Sequence, residues 1–190
     1  MSKQSILSTI RENKPVFPFS PVPEESGCLT EPVKVSDFVS MLEAAGGNII
    51  ECNAKDIEGI ITDRFPVAVD FTKEDTFAQF SVNNDLSEFE KIEIAIFEGA
   101  FGVAENASIW LEDQVLPHRI LPFITRHLVL LLDSSNIVPT MHEAYGRIRL
   151  ADTGYGVFIS GPSKTADIEQ SLVYGAHGAV RLTVILFTRN

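Results

Sequence analysis

Leu128-Val129-Leu130-Leu131-Leu132, preceded by His127, is the longest unbroken aliphatic run in the chain. It falls far short of the roughly 18 apolar residues that a membrane span requires, and it lacks polar alternation. It therefore reads as a strand buried on both faces. Ile92-Glu93-Ile94-Ala95-Ile96-Phe97 and Leu182 to Phe187 read the same way, as do the shorter Asn48-Ile49-Ile50-Glu51-Cys52 and Val67-Ala68-Val69-Asp70-Phe71. Helical patterns lie between them. Ser36 can cap a helix whose apolar face is Phe38, Val39, Leu42 and Ala45, ended by Gly46-Gly47. Further helices are expected over Ala54 to Asp63, Ile120 to Ile124 and Thr165 to Tyr174, and behind Pro139, where Thr140-Met141-His142-Glu143 forms a capping box. Ser108 to Leu111 and Tyr155 to Ser160 add strands, a turn runs through Gly99 and Gly102, and Lys73 to Leu86 shows no clear period. Buried strands alternating with helices predict an α/β fold, an open and mainly parallel sheet flanked by helices. Such sheets bind ligands at the carboxyl ends of their strands.

The 190 residues include 15 basic and 26 acidic ones, a formal net charge of −11. A nucleic-acid partner is unexpected, because phosphate binding needs a stripe of Lys and Arg and the basic residues here are scattered. Apolar residues make up 45% and charged residues 22%, which excludes disorder as the main state. A chain of this size buries about 70% of its unfolded surface, enough for a core without staples. No signal-peptide pattern opens the sequence, and Cys28 and Cys52 lack a C-x-x-C partner, so a reduced, cytoplasmic protein is expected. Residues 1–34 divide from the rest as an N-terminal helix over Ser2 to Asn13 and an arm carrying Pro15, Pro18, Pro21, Pro23 and Pro32. Residues 35–190 form the main domain.

Two segments stand out chemically. In Ser160-Gly161-Pro162-Ser163-Lys164-Thr165-Ala166-Asp167-Ile168-Glu169 a strand runs through Gly-Pro into an expected helix start, whose free N–H groups favour an anion. Gly161, Ser163, Lys164, Thr165 and Asp167 are the candidate ligand-binding residues. The same residues also read as an ordinary helix cap, and Asp167 and Glu169 would compete with an anion. In Glu98-Gly99-Ala100-Phe101-Gly102-Val103-Ala104-Glu105-Asn106-Ala107-Ser108, glycines follow a buried strand and present Glu105, either as a base or nucleophile or as a carboxylate that ties down a turn. His118, His127, His142 and His177 show no metal-binding spacing, so no metal is expected in this chain. His127 opens an aliphatic strand, and His177, in Gly175-Ala176-His177-Gly178, stands where a helix cap is expected.

Ser160 to Glu169 followed by Gly175-Ala176-His177-Gly178 closely resembles the signature of the LUD domain family of lactate-utilisation proteins, in particular its short C-subunit type. Ala104-Glu105-Asn106-Ala107-Ser108 stands where that family carries an Ala-Glu-Thr-Gly-Thr-like turn, and Leu121-Pro122 before His127 is similar to its strand entry. The likeness covers residues 90 to 188, with the first half matching by element order. It implies a fold like the NagB/RpiA/CoA-transferase group and a part in oxidising L-lactate to pyruvate. It also implies iron–sulfur clusters in partner subunits and none in this chain. Asn106-Ala107-Ser108 departs from the family's Thr-Gly-Thr, which puts any ligand contact of that turn in doubt.

Glu105, His127 and His177 are the candidate catalytic residues, beside the Gly161 to Asp167 segment, if both loops leave strands of one parallel sheet. The ligand expected is a small carboxylate or other anion. The alternative is a stand-alone enzyme acting on a CoA thioester or sugar phosphate, with Glu105 as nucleophile. A third reading is a module that only docks partner subunits through the Pro-rich arm.

Overall fold

A computed structural model describes residues 35–82, 86–148, 154–166, 172–175 and 177–189, together with Thr9, which is helical. The chain divides into two units, Met1–Thr30 and Glu31–Asn190, and the fold below is that of the second. The expected N-terminal helix and the Pro-rich arm otherwise lie outside the described residues, as do Cys28 and Asp167.

The second unit opens with helix α1 (Val35–Ala44) and strand β1 (Asn48–Asn53), followed by helix α2 (Ile57–Arg64) and strand β2 (Val69–Asp70). The unassigned stretch forms α3 (Glu74–Val82) and α4 (Leu86–Phe89). Strands β3 (Ile94–Glu98), β4 (Phe101–Val103) and β5 (Ser108–Glu112) precede α5 (Leu121–Ile124) and β6 (His127–Asp133). Then come β7 (Ile137–Val138), α6 (Met141–Arg147), β8 (Gly156–Ile159), β9 (Lys164–Ala166), β10 (Leu172–Tyr174) and β11 (Arg181–Thr188).

Five strands form the parallel sheet, in the order β1-β11-β6-β3-β2. Its central strand β6 and the neighbouring β11 are the most aliphatic, and their side chains alternate between two cores. Leu128, Leu130, Leu132, Leu182, Val184 and Leu186 face one side, with Phe38 and Leu42 of α1. Val129, Leu131, Ile185 and Phe187 face the other, with Phe65 and the partly buried Ile57, Ile60 and Ile61 of α2. Each fully buried aliphatic side chain contributes about 1.5–3 kcal/mol of transfer free energy, so both faces must be covered.

Strand order explains which element covers which face. From β1 the chain crosses the whole sheet to reach β2, and α2 lies on that crossing. From β2 it steps back through β3 and β6 to β11, in the opposite direction, so right-handed crossovers put those connections on the other face. Phe80 of α3, Phe89 of α4, Ile109 of β5 and Leu121 of α5 all pack there.

Part of that covering is a second sheet, β7-β4-β5-β8, in which β4 pairs parallel with β7 and antiparallel with β5, and β5 pairs antiparallel with β8. The segment expected as a turn through Gly102 is thus mostly a strand. At Gly102 a Cβ would lie 2.8 Å from a Leu132 methyl carbon and 3.0 Å from the Phe38 ring, so the absent side chain lets the second sheet pack closely on the first.

Two further expectations are corrected. Both described ends of the helix expected over Thr165 to Tyr174 are strands instead: β9 and β10 pair antiparallel, Ala166 opposite Leu172 and Lys164 opposite Tyr174. Thr165, Val173 and Tyr174 are residue types that suit strands, and cross-strand pairing prevails over the cap-like signals of Ser163 and Thr165. Helix α1 begins at Val35, which puts Ser36 inside its first turn, where its hydroxyl donates to Asp37 Oδ1 at 3.4 Å.

Candidate functional site

The loop that presents Glu105 is the hairpin turn between β4 and β5. Ser108 N–H donates to Asn106 Oδ1 at 3.0 Å, and Ala107 is fully buried with φ of +53°. This is the position at which the family resemblance expects glycine; here the left-handed turn persists with alanine. The turn is fastened to the next strand and helix by Ala104 N–H to Val138 O (2.8 Å) and Glu105 N–H to Pro139 O (3.1 Å). Glu105 Oε2 accepts from the Met141 N–H at 2.8 Å, and Thr140 Oγ1 accepts from Glu143 N–H at 3.3 Å. The Glu105 carboxylate therefore complements the start of α6, which is the turn-fastening role its sequence also allowed.

The Ser160 to Lys164 segment lies beside that turn. Ser160 Oγ donates to Asn106 O at 2.6 Å. Gly161 has φ of +73°, and a Cβ there would come within 2.9 Å of Ala45 O, so the segment rests directly on the end of α1. Lys164 reaches the same place: a Cβ on Gly46 would stand 3.2 Å from its Nζ, which puts the ammonium at the carboxyl end of α1, where the helix dipole favours a cation. Ser163 N–H donates to Ala179 O at 2.8 Å, and Ser163 O accepts from Gly175 N–H at 3.0 Å. Backbone groups expected to hold an anion at a helix start are thus spent on strand and loop pairing.

His127 opens β6 on the α2 side of the sheet. Its Nε2 lies 2.8 Å from Thr183 Oγ1, and its ring meets Phe65 edge-on at 5.5 Å. Burial, with a smaller contribution from the Arg181 cation, lowers its pKa and favours the neutral ring. This is a packed, structural histidine. His177 is exposed, and with β10 before it there is no helix end for it to cap.

His177 instead lines a cleft of about 470 Å³ with Arg126, against an apolar wall of Ile120, Phe123, Ile124 and Val180. Arg126 directly precedes β6 and Val180 directly precedes β11, so this cleft opens at the amino edge of the parallel sheet. The structure thus joins the Asn106 turn, the Ser160 to Lys164 segment and the Gly175 to Ala179 loop along one chain of hydrogen bonds. The Glu105 carboxylate and the His127 imidazole are engaged elsewhere.

At the carboxyl edge, Asp133 accepts from Ser135 N (2.9 Å) and Ser135 Oγ (2.7 Å), and from Arg189 Nε (2.8 Å). Burial works to raise its pKa, but these hydrogen bonds and the Arg189 charge hold the carboxyl below its usual range. A cleft of about 420 Å³ nearby is lined by Lys55, Glu58, Thr62, Asp70, Thr72 and Lys73, among others. Lys73 Nζ lies 3.9 Å from Glu58 and 4.0 Å from Asp70.

Among the described residues no three side chains converge as a metal site, and no helix is long and apolar enough to cross a membrane. Cys52 is partly buried, and burial, with the Asp56 charge, pushes its thiol pKa up, the opposite of what a thiolate ligand requires.

The place of Arg126 in this cleft was not legible in the sequence. Its cleft is made by residues some fifty positions apart, joined only because β11 pairs with β6 and sets Arg181 opposite His127.

Comparison with known proteins agrees with this architecture. A DUF162 family protein from Deinococcus radiodurans has a crystal structure similar to this one, with a TM-score of 0.58 at 15% identity, over 82% of this chain and 99% of that one. In sequence, "Lactate utilization protein C" of Bacillus pumilus is 33% identical over 129 residues, 62% of this chain and 54% of that protein. The protein of the same name from Anoxybacillus flavithermus is 29% identical over 164 residues, 84% of this chain and 72% of that protein. The chain spans about half the length of most of the curated relatives it matches. Residues 48–187, from the first strand of the parallel sheet almost to the end of its last, match the LUD domain, and the chain belongs to that family.

Proposed function

We propose that this chain works in lactate utilisation, as the cluster-free LUD subunit that acts with iron–sulfur partner subunits in the oxidation of L-lactate to pyruvate. The observation that carries the reading is the match of residues 48–187 to the LUD domain, together with relatives that bear the name Lactate utilization protein C. Converting the 2-hydroxyl of lactate to a ketone removes two electrons and two protons. The electrons would pass to clusters held by the partners, and this chain's own residues would hold the carboxylate and exchange a proton. The exposed His177 imidazole is suited to the second task, and the arginine beside it to the first.

The test is reconstitution. Purified iron–sulfur partners are assayed for L-lactate-dependent dye reduction with and without the full-length chain. Reduction that requires the chain, with pyruvate formed in equal amount to the lactate consumed, supports the reading. Equal rates without it refute the reading.

A further inference from the structure

We propose that the cleft at the amino edge of the parallel sheet, between the Ile120–Arg126 segment and the Gly175–Val180 loop, binds a small monocarboxylate anchored by the Arg126 guanidinium. The inference rests on the proposed function only for its choice of L-lactate and pyruvate as first probes.

Charge singles this cleft out. Among the described residues, three clefts of similar size carry cations and can be compared. In one, Arg119 is bound through two nitrogens to the Asp113 carboxylate, at 2.8 and 2.7 Å. In the second, at the carboxyl edge, two lysines, Lys55 and Lys73, share the lining with two carboxylates, Glu58 and Asp70, and Lys73 Nζ lies 3.9 and 4.0 Å from them. Among the described residues, no carboxylate lines the cleft of Arg126 and the Arg126 guanidinium makes no ion pair. In a chain of net charge −11, an anion is repelled from most of the surface and finds an uncompensated cation here.

Chemistry and shape agree with that charge. A guanidinium presents paired N–H donors that match the two oxygens of a carboxylate, which a lysine cannot do. Ile120, Ile124 and Val180 supply an apolar wall for a short alkyl group, and His177 brings a ring nitrogen that can donate to or accept from an oxygen on the neighbouring carbon. The volume, about 470 Å³, lies within the usual range of small-molecule sites.

The anchor's backbone is held in place. Arg126 O accepts from Arg181 N–H at 3.1 Å, and the next residue, His127, donates its N–H to Glu93 O at 2.9 Å. On the opposite wall Gly175 has φ of +79°, and a Cβ there would come within 2.5 Å of a Val180 methyl. Only glycine lets that loop fold down onto Val180.

The test is calorimetric titration of the full-length chain with sodium L-lactate, pyruvate, acetate and propionate at constant ionic strength. It compares wild type with Arg126→Gln, Arg126→Lys, His177→Asn and, at the other edge of the sheet, Lys73→Gln. Saturable binding of at least one monocarboxylate is expected, weakened about tenfold or more by Arg126→Gln and less by Arg126→Lys, and unchanged by Lys73→Gln. Arg126 is exposed, so thermal melting of its variants should match wild type without ligand. Absence of saturable binding to the wild type, or binding that Arg126→Gln leaves intact, overturns the proposal. The two readings fail separately. Arg126-dependent binding of acetate or propionate, with none of lactate or pyruvate, keeps the cleft and removes the lactate reading. Lactate binding indifferent to Arg126 does the reverse.

Discussion

The Glu105 carboxylate receives the backbone N–H of Met141 at 2.8 Å, so a residue in the β4–β5 turn caps a helix that begins 36 positions later. The bond ties the second sheet to α6 at the point where the helix has an unpaired donor and a positive dipole end. Glu105→Ala should cost about 1 kcal/mol of stability, and Glu105→Gln a fraction of that, because the amide oxygen still accepts the bond. Urea unfolding of the two variants checks the order. The same bond bears on the thioester alternative, since it holds one of the two Glu105 carboxylate oxygens at the start of α6. Incubation with acetyl-CoA is expected to leave the intact mass of the protein unchanged.

Gly156 in β8 lies over Trp110 of β5, and a Cβ there would come within 2.1 Å of the indole ring. Neither the strand ladder nor the buried tryptophan can move away cheaply. Gly156→Ala should destabilise by about 1–3 kcal/mol or more, whereas Gly59→Ala, where a Cβ meets nothing within 4 Å, should be neutral to slightly stabilising. Thermal melts of both variants give the contrast.

His127 makes stability depend on pH in a defined direction. Burial lowers its folded pKa below that of the unfolded chain, so below pH of about 6.5 the unfolded state binds the proton more readily. Its penalty is absent above that pH and grows as pH falls toward the folded value. Unfolding free energy measured between neutral and mildly acid pH should fall more steeply for wild type than for His127→Gln. A steeper fall in the variant would contradict the assignment.

The parallel sheet was readable because its strands are short aliphatic runs whose faces are both buried, a pattern carried by each segment alone. Helix α6 was readable from the Thr140 cap for the same reason. The β9–β10 pairing was not: Ser163, Thr165 and Asp167 suit a helix start locally, and only the pairing of Lys164–Ala166 with Leu172–Tyr174 settles the matter. Of the candidate site residues, Ser163 lies on the hydrogen-bonded loops and His177 lines the amino-edge cleft, whereas Glu105 and His127 are hydrogen-bonded into the framework. The cation lining the cleft, Arg126, carries no local signal. The rule that parallel sheets bind at their carboxyl ends pointed to the opposite edge, where Asp133 and Arg189 satisfy each other.

Where the ligand sits is therefore the central question, and isoleucine methyl spectra answer it most directly. Ile120 and Ile124 line the amino-edge cleft, and Ile57 and Ile61 line the carboxyl-edge one. Titration of the labelled full-length chain with L-lactate and pyruvate should shift the methyls of Ile120 and Ile124 and leave those of Ile57 and Ile61 in place. Shifts confined to Ile57 and Ile61 would contradict this account and return the site to the carboxyl ends of the strands.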